Sequence, residues 1–244
     1  MPFLKMVKFQ LKLYIKNSYF VNLVIIETSS MLLYEYLAGY VGHNYSGQEW
    51  LIAGIMGTWS SCTTSAGALG YQRRQGTLSH LLNTAIPHEK ALLAVLSPAA
   101  IYGLIAFPLA GIETIILKMP LNNLSWQLLL GIFLLWIACI VLSYFISLFF
   151  ILSRNAIAYE RLIFLPILLL SGLLSVPTFI YPFIKPFQLL SPLSLPIKII
   201  YGQFPQFTWI LSYIVVLIAF ILLSKWMTNV VIHRAFKERR LNIF

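Results

Sequence analysis

The amino-acid sequence predicts an all-α integral membrane protein with six transmembrane helices. Of its 244 residues 59% are hydrophobic and only 10% are charged, whereas soluble domains carry about 25% charged residues. The chain contains no aspartate, and its cations lie mainly in the gaps between long apolar runs. This pattern favours a membrane protein over a nucleic-acid-binding protein, despite the net charge of +10.

Six apolar stretches are long enough to cross about 30 Å of hydrocarbon. We predict spans at residues 20–41, 50–70, 91–117, 126–152, 162–184 and 206–228. Fourteen lysines and arginines lie in the N-terminal segment, the second and fourth loops and the C-terminal tail, against three on the other side, Lys118, Lys185 and Lys198. The positive-inside rule therefore predicts a multi-pass protein of the cell (plasma) membrane with both termini in the cytoplasm.

The first 18 residues are predicted to form an interfacial amphipathic helix. Lysines recur at helical spacing, and the opposite face carries apolar side chains: Lys5, Lys8, Lys12 and Lys16 on one side, Phe3, Leu4, Val7, Leu11 and Tyr14 on the other. Such a helix lies on the inner leaflet with its lysines toward lipid phosphates. The alternative is a basic tail without helical structure.

The loop at residues 71–90, between spans two and three, contains a short amphipathic pattern. Leu78, Leu81, Leu82 and Ala85 follow the spacing i, i+3, i+4, i+7 and form one apolar stripe. Thr77 can cap the start of this helix, and Pro87 marks its end. A helix this short is unstable alone in water, so the stripe needs a partner surface, either the membrane or a protein groove.

Two segments resemble ABC-2 type permeases, the membrane subunits of ABC exporters. The first runs Arg74-Gln75-Gly76-Thr77-Leu78 and continues with Leu81-Leu82 and Pro87, like the loop after the second span in that family. The second is residues 171–201, where Ser191-Pro192-Leu193 stands in place of an Asn-Pro-Leu-like turn. Five prolines between Pro182 and Pro205 argue against one continuous helix and favour a re-entrant extracellular segment at 181–205.

The resemblance implies a coupling helix that docks on a separate cytoplasmic ABC ATPase, present in two copies. It also implies a second permease chain, identical or paralogous, with ATP and Mg²⁺ bound by the ATPase and no cofactor bound by this chain. Family members often place acidic residues close to the Gly-Thr pair, whereas this chain has Arg73 before it and His80 after it. The implied docking residues are Arg73, Arg74, Gln75, Gly76, Thr77, Leu78, Leu81 and Leu82.

The chain lacks the sequence motifs of an enzyme. No G-x-x-x-x-G-K-[ST] occurs, so this chain cannot hydrolyse ATP by a P-loop mechanism. The four histidines have no metal-binding spacing, and without aspartate a Ser-His-Asp set is impossible, which leaves a Ser-His-Glu set as the open alternative. Cys62 and Cys139 form no metal motif, and we interpret them as packing residues without a disulfide.

Polar residues inside spans one and two are candidates for a substrate path. Glu27 and Glu35 lie in span one, where a carboxylate is costly and marks a possible functional site. We expect Glu27, in the inner half, to be structural and Glu35, in the outer half, to be the wetter group. Span two contributes Ser60, Ser61, Thr63 and Thr64, which equally suit a tight helix–helix contact.

These features predict the permease subunit of an ATP-driven ABC exporter that moves an amphipathic substrate outward. Drugs, antimicrobial peptides, lipids and glycans are all carried by members of the family that the chain resembles. An ion-driven secondary transporter is one alternative, although no repeat relates the two halves of the sequence. The second alternative is a membrane immunity protein or a membrane enzyme that acts alone. Against it, the sequence contains no catalytic cluster.

Overall fold

All regular secondary structure in the described part of the chain is helical. The computed structural model describes residues 3–16, 18–74, 78, 80, 86–152, 166–173 and 181–237. Its helices are α1 (Phe3–Lys16), α2 (Ser18–Val41), α3 (Glu49–Arg74), α4 (His88–Gly103), α5 (Ala106–Ile116), α6 (Trp126–Leu152), α7 (Tyr181–Gln188), α8 (Ser194–Ile200) and α9 (Phe207–Lys237). The predicted all-α class is confirmed for these residues.

Three helical segments within the described ranges are long and apolar enough to cross a membrane. They are His88–Ile116, Trp126–Ile151 and Phe207–Arg234, with 29, 26 and 28 residues. These segments coincide with the third, fourth and sixth predicted spans. Helices α2 and α3, at the first and second predicted spans, have 24 and 26 residues but contain more polar side chains.

Helix α3 lies at the centre of the bundle. It packs against α2, α4, α5 and α6, while α6 also contacts α8 and α9. Most described residues in the first half of α3 are buried, including Leu51, Ile55 and Cys62, which have no exposed surface or about 1% of it. A helix surrounded by other helices can carry glycine, serine and threonine because close packing replaces contact with lipid.

The start of α3 is fixed by a capping box. The backbone N–H and the hydroxyl of Ser46 donate to Glu49 Oε1 over 2.6 and 3.0 Å. Ser46 Oγ in turn accepts from the backbone N–H of Gln48 over 3.2 Å. This Ser-x-x-Glu pattern satisfies donors that the first turn of a helix leaves free.

A break four residues before Pro108 divides the third predicted span into α4 and α5. Pro108 has no N–H to donate to the carbonyl of Leu104, and the chain makes a tighter turn at residues 104–105. There Leu104 N–H donates to the Ile101 carbonyl and Ile105 N–H to the Tyr102 carbonyl, over 3.2 and 2.9 Å. The predicted single helix over 91–117 is therefore two helical pieces joined by this turn.

The fifth predicted span, 162–184, is interrupted. Residues 166–171 are helical, but Gly172 adopts φ +80° and ends the helix, as glycine does in the left-handed region. Residues 162–165 and 174–180 lie outside the described residues. The proline-containing region that follows forms the short helices α7 and α8, and α8 packs along α6.

Helix α1 packs on α4 through the face opposite its lysines. Met6 is buried against Ala91 and Ala94 of α4. Lys5, Lys8 and Lys12 are exposed. On the predicted apolar face, Val7 and Leu11 are half-buried, whereas Phe3 and Leu4 are exposed. The part of this face that is covered contacts protein.

Candidate functional site

The predicted docking residues lie at the end of α3 and just beyond it. Arg73 and Arg74 form the last turn of α3. Gln75, Gly76, Thr77, Leu81 and Leu82 lie outside the described residues. Leu78 and His80 are helical, and they differ in environment because Leu78 has 0% exposed surface whereas His80 is exposed.

Leu78 is buried in a cluster that joins four helices. This Leu78 cluster contains one residue of α3, three of α4, three of α6 and two of α9: Leu69, Leu92, Val95, Leu96, Tyr144, Leu148, Ile151, Val231 and Ile232. Helices α4, α6 and α9 belong to the three segments that are apolar enough to cross a membrane. The loop between α3 and α4 is thus anchored to the ends of several long helices by one leucine.

Hydrogen bonds connect α6 to α9 beside the Leu78 cluster. The hydroxyls of Tyr144 and Thr228 lie 2.7 Å apart, and Thr228 Oγ1 donates to the Ser224 carbonyl over 2.7 Å. Both Tyr144 and Thr228 are buried. Paired hydroxyls of this kind specify the register of two helices in an apolar environment.

The hydroxyl groups of α3 satisfy backbone carbonyls of neighbouring helices. Ser61 Oγ donates to the Ala99 carbonyl of α4 over 2.5 Å, and Thr58 Oγ1 donates to the Gly103 carbonyl over 2.9 Å. Both side chains are buried. Their positions favour helix–helix contact over exposure to a path.

The other substrate-path candidates of α3 differ in how far they are buried. Thr63 is buried and donates to the Trp59 and Ser60 carbonyls of its own helix over 2.9 and 3.0 Å. Ser60 and Thr64 are half-buried. Ser60 and Thr64 therefore remain the members of this set that present side-chain surface outside the packed core.

The two cysteines meet between α3 and α6. Cys62 and Cys139 are both fully buried, and their thiols are in hydrogen-bonding contact. Ser143 Oγ donates to the Cys62 carbonyl one turn further along α6, over 2.6 Å. This contact agrees with the interpretation of both cysteines as packing residues.

The two acids of α2 occupy different environments. Glu27 is exposed, next to Ile26, which is also exposed. Glu35 is half-buried, and its charge interacts with that of Glu49. Burial, together with the nearby Glu35 carboxyl, raises the pKa of Tyr201 to about 12. Glu35 therefore belongs to a polar cluster formed by three separate segments of the chain.

Glu49 links this polar cluster to the loops at the same end of the bundle. It is 6% exposed, and its Oε2 atom has no hydrogen-bond partner among the described residues. Asn122 ties the neighbouring loops together: its Nδ2 donates to the Ser46 carbonyl over 3.1 Å, and its carbonyl accepts from Trp50 Nε1 over 3.2 Å. The polar cluster around Glu35 thus lies beside loops that are joined to each other by hydrogen bonds.

A fourth acid of this bundle, besides Glu27, Glu35 and Glu49, was missed by the sequence reasoning. Glu113 of α5 is half-buried and accepts a hydrogen bond from Ser29 Oγ of α2 over 2.5 Å. The signal was present as a single glutamate in the apolar run AFPLAGIETIIL, within the third predicted span. An isolated carboxylate in such a run indicates a polar partner on a neighbouring helix.

Comparison of the chain with protein-family models, with curated proteins and with solved structures gives no match. The likeness to ABC-2 permeases therefore depends on the sequence motifs alone. The function has to be argued from the residues and their positions.

Proposed function

We propose that this chain is the membrane-spanning permease subunit of an ATP-driven exporter that moves an amphipathic substrate outward. The observation that supports the proposal most directly is the burial of Leu78. The loop with the ABC-2-like motif is joined through this residue to α3, α4, α6 and α9. A force that displaces Leu78 would act directly on the side chains of these helices that pack around it.

The proposed topology has six spans, with both termini and the 71–90 loop in the cytoplasm. The distribution of lysine and arginine supports this orientation. Helices α2 and α3 would be the first two spans, and their polar side chains are tolerated where other helices cover them. The segment containing α7 and α8 would lie toward the outside and re-enter the bundle beside α6.

In this proposal, ATP and Mg²⁺ bind to a separate ATPase, because the chain has no P-loop motif. Two permease chains and two ATPases form the exporter. Leu78 anchors the coupling loop to this chain, and the remaining docking residues contact the ATPase: Arg73, Arg74, Gln75, Gly76, Thr77, Leu81 and Leu82. ATP-driven closure of the ATPases would move the loop and thereby the helices around the Leu78 cluster.

The test compares three charge substitutions within the apolar stripe. Leu81→Glu and Leu82→Glu should reduce recovery of the co-expressed ATPase in a pull-down, because a carboxylate resists burial in a groove. Each variant should keep the melting temperature of the permease alone. Leu78→Glu is the matched variant and should lower that melting temperature, since it places a charge inside the cluster.

Because the sequence spacing predicts that Leu81 and Leu82 share one apolar stripe with Leu78, the melting temperature decides which surface buries these two leucines. Unchanged ATPase recovery together with a lower melting temperature for Leu81→Glu and Leu82→Glu would show that the whole stripe packs on this chain. The docking assignment would then be wrong.

A further inference from the structure

An apolar groove lies between α6, the helical residues 166–171, the α7–α8 segment and α9. Its volume is about 500 Å³, within the roughly 300–1,000 Å³ of small-molecule sites. Aromatic and aliphatic side chains dominate its lining, among them Phe145, Phe149, Leu170, Phe187, Leu190 and Phe220. Nothing in the proposed coupling of ATP hydrolysis to transport uses this groove.

The deep end of the groove lies between two membrane-crossing segments. Phe145 of α6 contacts the ring of Phe220 of α9 edge-on, with ring centroids 5.1 Å apart. Phe220 lies near the middle of α9, and Phe145 lies in the C-terminal third of α6. An apolar groove at this depth is surrounded by hydrocarbon, and water gains few hydrogen bonds there.

Two lysines lie on α7 and α8, the short helices that flank the groove-lining residues Leu190, Ser191 and Pro192. Lys185 is two residues before Phe187 in α7, and Lys198 of α8 places its Nζ 3.3 Å above the ring of Trp209 at the start of α9. Burial lowers the pKa of Lys198, and the charge of Lys185 lowers it further. The two cations repel each other, and an anion bound beside them would offset that repulsion.

The distance along α9 matches the depth of one bilayer leaflet. Trp209 and Phe220 are eleven residues apart on one helix, which is roughly 16 Å at about 1.5 Å per residue. Half of a hydrocarbon core of about 30 Å is about 15 Å. A lipid with its phosphate at the level of Lys198 would therefore reach Phe220 with the end of an acyl chain.

We propose that this groove binds an anionic phospholipid of the leaflet at which Lys185 and Lys198 lie, with the phosphate at the two lysines and one acyl chain between α6 and α9. The proposal does not depend on the chain being an exporter subunit. It requires only that α6 and α9 cross the membrane.

The test is native mass spectrometry of the full chain in a neutral detergent. Phosphatidylglycerol should be retained more strongly than phosphatidylcholine with the same acyl chains. Replacing both lysines, Lys185→Gln with Lys198→Gln, should weaken phosphatidylglycerol binding by about fivefold for each lysine, the effect expected for a cation near an anionic surface. Lys118→Gln, a lysine in the α5–α6 loop, is the control and should bind as the unaltered chain does.

A second pair of variants tests the acyl chain independently of the lysines. Leu190→Trp should fill the groove and reduce retention of phosphatidylglycerol, whereas Leu129→Trp on the exposed surface of α6 should not. Leu190 and Leu129 are similarly exposed, at 64% and 57%, so both variants should fold. Inorganic phosphate alone should not compete with the lipid.

Three results would overturn the proposal. The first is equal retention of the two lipids. The second is unchanged retention in Leu190→Trp. The third is competition by inorganic phosphate, which would indicate a site for free phosphate without an acyl chain.

Discussion

Single residues determine how closely the helices around α3 approach one another. A Cβ atom at Gly57 would lie 2.0 Å from Thr28 Oγ1 and 2.8 Å from the Cβ of Ala106. Thr28 is completely buried, so its side chain has little room to move. The sequence predicted that the small residues of this span serve close packing or a substrate path, and the contacts of Gly57 favour packing at this position.

Gly57→Ala should therefore destabilise the protein by about 1–3 kcal/mol, the usual cost of overpacking a core. Gly111→Ala is the matched control, because nothing lies within 4 Å of a Cβ at that position in α5. Alanine there should be neutral or stabilising, since glycine weakens a helix interior. Thermal unfolding in detergent measures both variants, and equal melting temperatures would contradict the close approach of α2, α3 and α5.

Glu35 and Glu27 should differ in their effects on transport. Glu35→Gln removes a charge that interacts with Glu49, so the melting temperature at pH 7 should stay the same or rise. The same substitution should lower substrate-stimulated ATP turnover of the complete exporter several-fold, because a substrate leaving outward would meet this half-buried acid. Glu27→Gln, at an exposed position, is the control and should leave both quantities unchanged.

Transport and melting temperature must be measured for both glutamine variants. A large loss of turnover in Glu27→Gln, or full turnover in Glu35→Gln, would show that the two acids have been assigned to the wrong roles.

At the scale of helices, the structure compensates for prolines with neighbouring side chains. Pro98 lies inside α4 and has no N–H for the Ala94 carbonyl. Ser97 Oγ donates to that carbonyl over 3.0 Å. This side-chain hydrogen bond replaces the missing backbone bond and explains how α4 continues through Pro98. At Pro108, by contrast, the chain turns more tightly four residues earlier.

Ser97→Ala should destabilise the protein by about 0.5–1.5 kcal/mol, because the Ala94 carbonyl then loses its side-chain donor. Ser30→Ala is the matched control. Ser30 Oγ donates to the Glu27 carbonyl over 3.2 Å at an exposed position, and the uninterrupted helix there still supplies a backbone N–H to that carbonyl. Unfolding free energies that are equal for the two variants would contradict the compensating role of Ser97.

The sequence predicted helices more accurately than their interruptions. Apolar runs identified α2, α3, α6 and α9 to within a few residues, except at the C-terminal end of α9. The turn at residues 104–105 and the end of the helix at Gly172 were missed, although Pro108 and Gly172 were visible. Hydropathy averages over a whole turn or more, so a local break does not change it.

The polar cluster was predicted only in part, for a related reason. Its members come from α2, the start of α3 and the end of α8, and no sequence spacing connects them. Glu35 was identified because a carboxylate in an apolar run is unusual. Glu49 and Tyr201 acquire their roles from packing, and Glu49 was outside every predicted path.

At the scale of the whole molecule, hydropathy and packing divide the long helices into two groups. Three segments are apolar enough to face lipid, and one of them, at α9, has much of its apolar surface exposed. Helix α3 contains more polar side chains than a typical membrane span, but it is enclosed by other helices. Enclosure would allow α3 to serve as a span in the proposed six-span arrangement, although it is not among the three strongly apolar segments of the described residues. Hydrogen bonds between helices would offset the cost of its polar groups.

The side of the membrane that holds the C-terminus distinguishes a six-span from a three-span arrangement. Six crossings place both ends on one side, and the lysines and arginines at both ends predict that this side is the cytoplasm. If only His88–Ile116, Trp126–Ile151 and Phe207–Arg234 crossed, the number of crossings would be odd and the ends would lie on opposite sides.

A green fluorescent protein fused to the C-terminus of the full chain should therefore fluoresce, whereas alkaline phosphatase fused at the same position should be inactive. Alkaline phosphatase fused after residue 122 is the control and should be active, because that loop lies outside in either arrangement when the N-terminus is cytoplasmic. An active phosphatase at the C-terminus would contradict the six-span topology, because it requires an odd number of crossings.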